Sequence, residues 1–131
     1  MYQKIVIVGR LGRDVELRYT PQGQAVANMS VATDKSWVDA SGTKKEQTTW
    51  FKVSVWGKQA EACNQHLSKG RTVLVEGEMQ EPKPYQKRDG TWACSLDLRA
   101  MNVRFLGKGD ETHEAKPSTP AGDDDEELIP F

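Results

Sequence analysis

The residue types best suited to chemistry in this chain are concentrated in Trp50-Phe51-Lys52-Val53-Ser54-Val55-Trp56. Side chains alternate faces along a strand, so Trp50, Lys52, Ser54 and Trp56 share one face while Phe51, Val53 and Val55 share the other. The second face is ordinary core. The first holds two indoles with a cation between them, which suits stacking against planar rings and pairing with an anion. Large exposed apolar groups gathered in one place usually mark a binding surface. A strand buried on both faces is the alternative, and the charge of Lys52 argues against it.

Further aromatic and basic residues extend the pattern. Trp37, Trp50, Trp56, Tyr85 and Trp92 are interleaved with Lys35, Lys44, Lys45, Lys52, Lys58, Lys83, Lys87 and Arg88, and Arg10 follows the first apolar run. Single-stranded nucleic acid is held by two such devices, a positive groove along the backbone and aromatic faces for the bases, worth about 1–3 kcal/mol per stacked base. Trp92 also reads as a structural indole at the start of a core strand. Catalysis finds little support. Metal-assisted hydrolysis needs converging carboxylates, and the body's acidic residues are scattered, with Glu76 and Glu78 on one strand face the best pair. Cys63 and Cys94, like His66 and His113, are isolated, so neither a zinc site nor a redox motif is implied and both thiols are expected to be reduced and mostly buried. No cofactor and no metal are expected, and no phosphate-binding glycine loop is present.

The elements that must position these residues read as an all-β chain. Lys4 to Leu11 predicts a first strand that bends at Gly9 and Gly12, where it turns a barrel corner. Asp14 to Tyr19 suggests a short helical turn, and Thr20-Pro21-Gln22-Gly23 a tight turn. Ala25 to Trp37 reads as a long second strand, joined through the polar loop Asp39–Lys45 to the strand of the opening motif. Trp37 and Trp50 are then expected near the hairpin tip. Lys58 to Lys69 has helical spacing, with Ala60, Cys63 and Leu67 on one face and Gly70 as C-cap. Thr72 to Met79 gives a fourth strand and Trp92 to Phe105 a fifth, whose apolar phase slips near Arg99-Ala100 and predicts a bulge. Glu81 to Thr91 is a long loop closed by an Asp-Gly turn. Five strands with one helix between the third and fourth match an OB-fold, a Greek-key barrel that binds oligonucleotides or oligosaccharides.

Charge divides the chain into two parts. Residues 1–108 carry 17 Lys and Arg against 11 Asp and Glu, whereas residues 109–131 carry 1 against 8. The basic body suggests a polyanion partner or simply a hydrated surface. The tail, with no apolar period, is expected to be disordered, which divides the chain into a domain at 1–108 and a tail at 109–131. It finishes in Asp123-Asp124-Asp125-Glu126-Glu127-Leu128-Ile129-Pro130-Phe131. That run reads either as a solvating tail or as a tip captured by a partner with a hydrophobic pocket and basic rim. No run reaches a membrane span, and the start has no signal-peptide character, so a soluble intracellular protein is expected.

Several stretches together resemble the bacterial single-stranded DNA-binding protein family over nearly the whole length. They are Lys4-Ile5-Val6-Ile7-Val8-Gly9-Arg10-Leu11-Gly12, Arg18-Tyr19-Thr20-Pro21-Gln22-Gly23, Glu46-Gln47-Thr48-Thr49-Trp50, Gly57-Lys58-Gln59-Ala60-Glu61, Lys69-Gly70 and the final Ile129-Pro130-Phe131. The resemblance implies an OB-fold homotetramer that wraps single-stranded DNA in replication, recombination and repair, cytoplasmic and nucleoid-associated. It implies stacking at Trp37, Trp50, Trp56 and Tyr85, and phosphate contacts at Lys4, Arg18, Lys45, Lys52, Lys58, Lys69 and Lys83. It also makes residues 123–131 a docking tip for other genome-maintenance proteins. The chain departs from the family pattern at Val15, where proline is common, and at Tyr85, where tryptophan is usual. Its linker, residues 109–122, is short, with an r.m.s. reach of about 20 Å, which also fits a phage-encoded relative. Two other readings stay open: an adaptor that mainly recruits proteins through its tail, and a weak nuclease.

Overall fold

A computed structural model describes residues 1–107. The strands are β1 (Ile5–Leu11), β2 (Glu16–Tyr19), β3 (Ala25–Val38), β4 (Lys44–Trp56), β5 (Thr72–Met79), β6 (Pro84–Gln86), β7 (Trp92–Cys94) and β8 (Asp97–Leu106). One helix, α1 (Lys58–His66), lies between β4 and β5. Hydrogen bonding runs β1-β5-β8-β4-β3, and a further pairing of β1 with β3 closes five strands into a barrel. β2 extends the β3 edge, while β6 and β7 form a separate two-stranded ribbon. This is the expected OB-fold, with its helix in the expected interval.

Closure depends on β1 changing partners. Ile5 to Arg10 pair with β5, and Arg10 and Leu11 pair with Ala32 and Val31 of β3. A Cβ on Gly9 would collide with the Ala32 carbonyl, so only glycine permits the crossing. This is the corner foreseen from Gly9. A second corner lies on β8, where the register slips between Glu76 and Gly77 and leaves Met101 without a partner. The bulge predicted near Arg99-Ala100 is therefore present. Gln59 of α1 satisfies it: its Oε1 accepts from the Val103 N–H at 2.7 Å, and its Nε2 donates to the Met101 carbonyl at 3.3 Å.

Alternate residues fill the interior. Val53 and Val55 of β4 meet Ala27, Met29 and Val31 of β3, Val73 and Val75 of β5, and Leu98 of β8. Ala60, Cys63 and Leu67 seal one end, as the helical spacing predicted. Burial pushes the Cys63 thiol up to about 11.

Four expectations are corrected. Glu16–Tyr19 is a strand paired with Ala25–Asn28, not a helical turn, because Val15 and Leu17 pack on the core at a spacing of two. The helix ends at His66 with extended Leu67 as its cap, so Gly70, at φ 92°, serves the following turn instead. The predicted fifth strand divides. Trp92–Cys94 leaves the barrel to pair with Pro84–Gln86 inside what was read as a loop, and only β8 belongs to the core. Cys94 is consequently exposed, not buried. The acidic tail and the residues 123–131 fall outside the described residues.

The two thiols should separate chemically. At pH 8 a disulfide reagent should label one thiol per native chain promptly, Cys94, and reach Cys63 only in denaturant; two fast thiols would contradict this packing.

Candidate nucleic-acid interface

The outer face of β3 and β4 can be assembled rung by rung, because residues directly opposite one another share a face. Ala32 pairs with both Trp50 and Arg10, which sets Arg10 two strands from the indole. Ser30 pairs with Lys52, and Lys52 with Asp97. Asn28 pairs with Ser54 and with Glu16, and Ser54 pairs in turn with Arg99. Val26 pairs with Trp56 and Arg18. The result is one continuous surface with an indole at each end and, between them, small polar residues together with Lys52, Arg99, Glu16 and Asp97. Six residues of strand separate the tryptophans by about 20 Å. Shallow grooves follow this surface, one lined by Arg13, Glu16, Asn28, Ser30 and Lys52, the other by Asn28, Lys52, Ser54, Gln80 and Asp97.

Each indole is held differently. Trp50 is 53% exposed, and the edge of its six-membered ring lies where a Cβ on Gly12 would have to go. The Gly12 N–H donates to Ser30 O at 2.9 Å, which fixes that backbone under the ring. Trp56 is half-buried, and the Arg99 guanidinium lies over its ring at 5.5 Å from the centroid. Contacts of that kind at exposed sites are worth about 0.5–1 kcal/mol. Lys52 between them is exposed and without an ion pair among the described residues.

The other candidates divide into groups. Trp37 pairs with Lys45 at the second rung from the turn, near the tip as expected. Trp50, opposite Ala32, stands some 20 Å down the hairpin, which corrects its predicted place: the two strands overshoot the barrel as an arm, and Trp50 belongs to its base. By alternation Trp37, Lys35 and Lys45 occupy the opposite face of that arm from Trp50, with Lys35 Nζ 5.8 Å from the Trp37 ring centroid. The arm's turn is built on Asp39, whose carboxylate accepts from Ser41 Oγ at 2.7 Å and from the Ser41 and Thr43 N–H groups. Those bonds hold its pKa below the usual range. Tyr85 sits opposite Ala93 and Trp92 opposite Gln86, so the two rings leave opposite faces of the β6–β7 ribbon. Trp92, 70% exposed, is not a core indole. Lys83, Lys87 and Arg88 are exposed on and around this ribbon, and Lys58 begins α1, separated from Trp56 by Gly57 alone. The Lys69 N–H donates to Asp14 Oδ1 at 2.9 Å, tying the turn before β5 to the loop after β1.

Four of the cations named above already have partners, Lys44 with Glu46 at 3.9 Å among them. Lys4 meets Glu76 at 3.5 Å, Arg18 meets Glu16 at 4.0 Å and Lys45 meets Asp39 at 3.9 Å. The Asn102 amide, and then Lys4, lower the pKa of Glu76, keeping that carboxyl ionised as a counter-charge. Glu76 and Glu78, the best pair for catalysis, form no metal-ligating cluster among the described residues. Arg99 and Gly12 were not singled out as interface residues. Arg99 marked only a phase slip and Gly12 only a bend, because the strands that bring them to the tryptophans are distant in sequence.

Residues 2–106 match the single-strand binding protein family. The chain belongs to that family. Proteins called single-stranded DNA-binding protein from two Neisseria meningitidis strains are 41% identical over 114 residues, 87% of this chain. One called single-stranded DNA-binding protein 1, from Chlorobaculum tepidum, is 36% identical over 82% of the chain. The chain spans 65% of the length of the Neisseria relatives. Among solved structures, a Plasmodium falciparum SSB in complex with ssDNA superposes with a TM-score of 0.67 at 24% identity, covering 82% of this chain and 96% of that one. A deletion mutant of the single-stranded DNA binding protein from Thermus aquaticus gives a TM-score of 0.65 at 27% identity, over 81% and 51% of the two chains. No helix of the described residues is long and apolar enough to cross a membrane.

The seat of Trp50 is open to test. With Trp50 as the sole tryptophan, Gly12→Ala should lift the ring off the backbone, red-shifting its emission and raising its quenching by iodide. An unchanged spectrum would show that Gly12 does not position the ring.

Proposed function

We propose that this chain binds single-stranded DNA without base-sequence preference and protects it during replication, recombination and repair. The observation that carries this reading is the outer face of β3 and β4, where Trp50, Lys52 and Trp56 follow one another along one strand face, with Arg10 and Arg18 on rungs beside them. Stacking accepts any base because every base has a π face, and the cations follow a backbone common to all sequences. Family membership supports the same reading, and so do the names of the Neisseria and Chlorobaculum relatives. Trp37 and Tyr85, with Lys35, Lys45, Lys83, Lys87 and Arg88, extend the path onto the arm and ribbon, and Trp92 adds a ring on the ribbon's other face. Lys4, Lys58 and Lys69 supply outlying phosphate contacts. Binding, not cleavage, is the proposed activity.

The functional unit is proposed to be a homotetramer. Val6 and Val8 are exposed on the outward face of β1, Met101 is exposed on β8 beyond them, and such apolar groups favour burial against another copy. Residues 109–131 are proposed as a separate acidic tail whose tip, 123–131, recruits partner proteins in the cytoplasm at the nucleoid.

Adding poly(dT) at low salt should quench tryptophan fluorescence, and sedimentation should show a tetramer before and after. Trp50→Ala should weaken binding by about 1–3 kcal/mol. No quenching by the unaltered chain would overturn the reading. Deleting residues 123–131 should abolish pull-down of partner proteins while leaving DNA affinity intact or higher. Loss of DNA binding on that deletion would instead favour an adaptor role.

A further inference from the structure

Resting on the single-strand reading above, we infer that Arg99 is a further phosphate-binding residue and the movable cover of the Trp56 stacking face. Its guanidinium lies over the indole at 5.5 Å from the ring centroid. It projects from the outer face of β8, on the rung of Ser54 and Asn28, between Lys52 and Trp56. Two carboxylates stand nearby. Glu78 is its direct partner across the β5–β8 ladder, and Asp97 lies two residues before it on the same face. Asp97 accepts from Ser95 Oγ at 2.6 Å, and Arg99 is within ion-pair distance of neither acid among the described residues. The side chain is exposed. The cation is therefore stored on an aromatic face and not neutralised by an anion.

Such storage is weak enough to be exchanged. A base stacked on an indole outweighs an exposed cation–π contact, so an arriving base displaces the guanidinium. A planar, permanently charged group with five donors then has a phosphate oxygen as its best partner on the same surface. The exchange leaves the indole covered at every stage and brings one more cation onto the backbone. Lysine at this position would supply charge without the same planar cover.

Binding of poly(dT) measured against NaCl concentration tests this in the full chain, using Arg99→Ala and Arg99→Lys. The alanine variant should bind more weakly and lose about 0.7 from the magnitude of the log–log salt slope, the value of one phosphate contact on a single strand. The lysine variant should restore the slope. A purely structural role would move thermal stability and leave the slope alone. Binding by Arg99→Ala with unchanged slope, whether tighter or weaker, overturns this inference alone. Absence of poly(dT) binding by the unaltered chain overturns the single-strand reading and this inference with it.

Discussion

The crossing of β1 over the barrel corner is the constraint on which the other features depend. A five-stranded sheet closes only if one strand serves two neighbours, and β1 does so by passing from β5 to β3 within its seven residues. The backbones approach so closely at Gly9 that a single methyl would collide with the Ala32 carbonyl oxygen. The same crossing fixes what lies outside. Arg10 is placed on the rung of Ala32 and Trp50, and the chain leaving β1 passes at Gly12 beneath the Trp50 ring. The joint that closes the core thus also sets one end of the candidate interface.

Beyond that joint the two longest strands outrun the core. Burial on β3 ends at Val31, and from Asp34 onward every side chain is exposed. The arm therefore gains little from apolar burial, and an isolated two-stranded hairpin is marginal in water. Its order comes from the hydrogen bonds around Asp39, the Thr48 hydroxyl donating to Asp34 at 2.8 Å and the strand ladder itself. The ribbon of β6 and β7 repeats this economy, with Asp89 accepting from the Thr91 N–H and hydroxyl to hold its turn. A rigid platform with two lightly held extensions suits a flexible polymer, because the extensions adjust to its path while the platform does not.

Much of this was legible in the chain. Alternation from Trp50 to Trp56 separated core from outer face correctly, since a period of two is unambiguous when large and charged residues alternate with valine. Gly9 marked a corner, and the phase slip before Met101 marked a bulge. Local pattern failed where a segment was short or its partner remote. Four residues at Glu16–Tyr19 cannot distinguish a helical turn from a strand, and only β3 decides between them. The run from Trp92 to Phe105 looked continuous because Cys94 and Leu96 keep the apolar phase, although the first three residues pair outside the barrel. Arg99 was invisible as an interface residue because β8 joins β4 in parallel, a pairing no turn signal announces.

The two ends of the tryptophan face differ in kind. Trp50 rests on backbone that cannot move without opening the barrel corner, whereas Trp56 is covered by a side chain with several rotatable bonds. Elsewhere on the surface, exposed ion pairs such as Arg18 with Glu16 are worth little individually. They restrain the cations without holding them against a stronger anion. A ligand would therefore meet a fixed anchor at one end and exchangeable contacts at the other. Register would be set at Trp50, and adaptation would fall to Trp56 and the side chains around it.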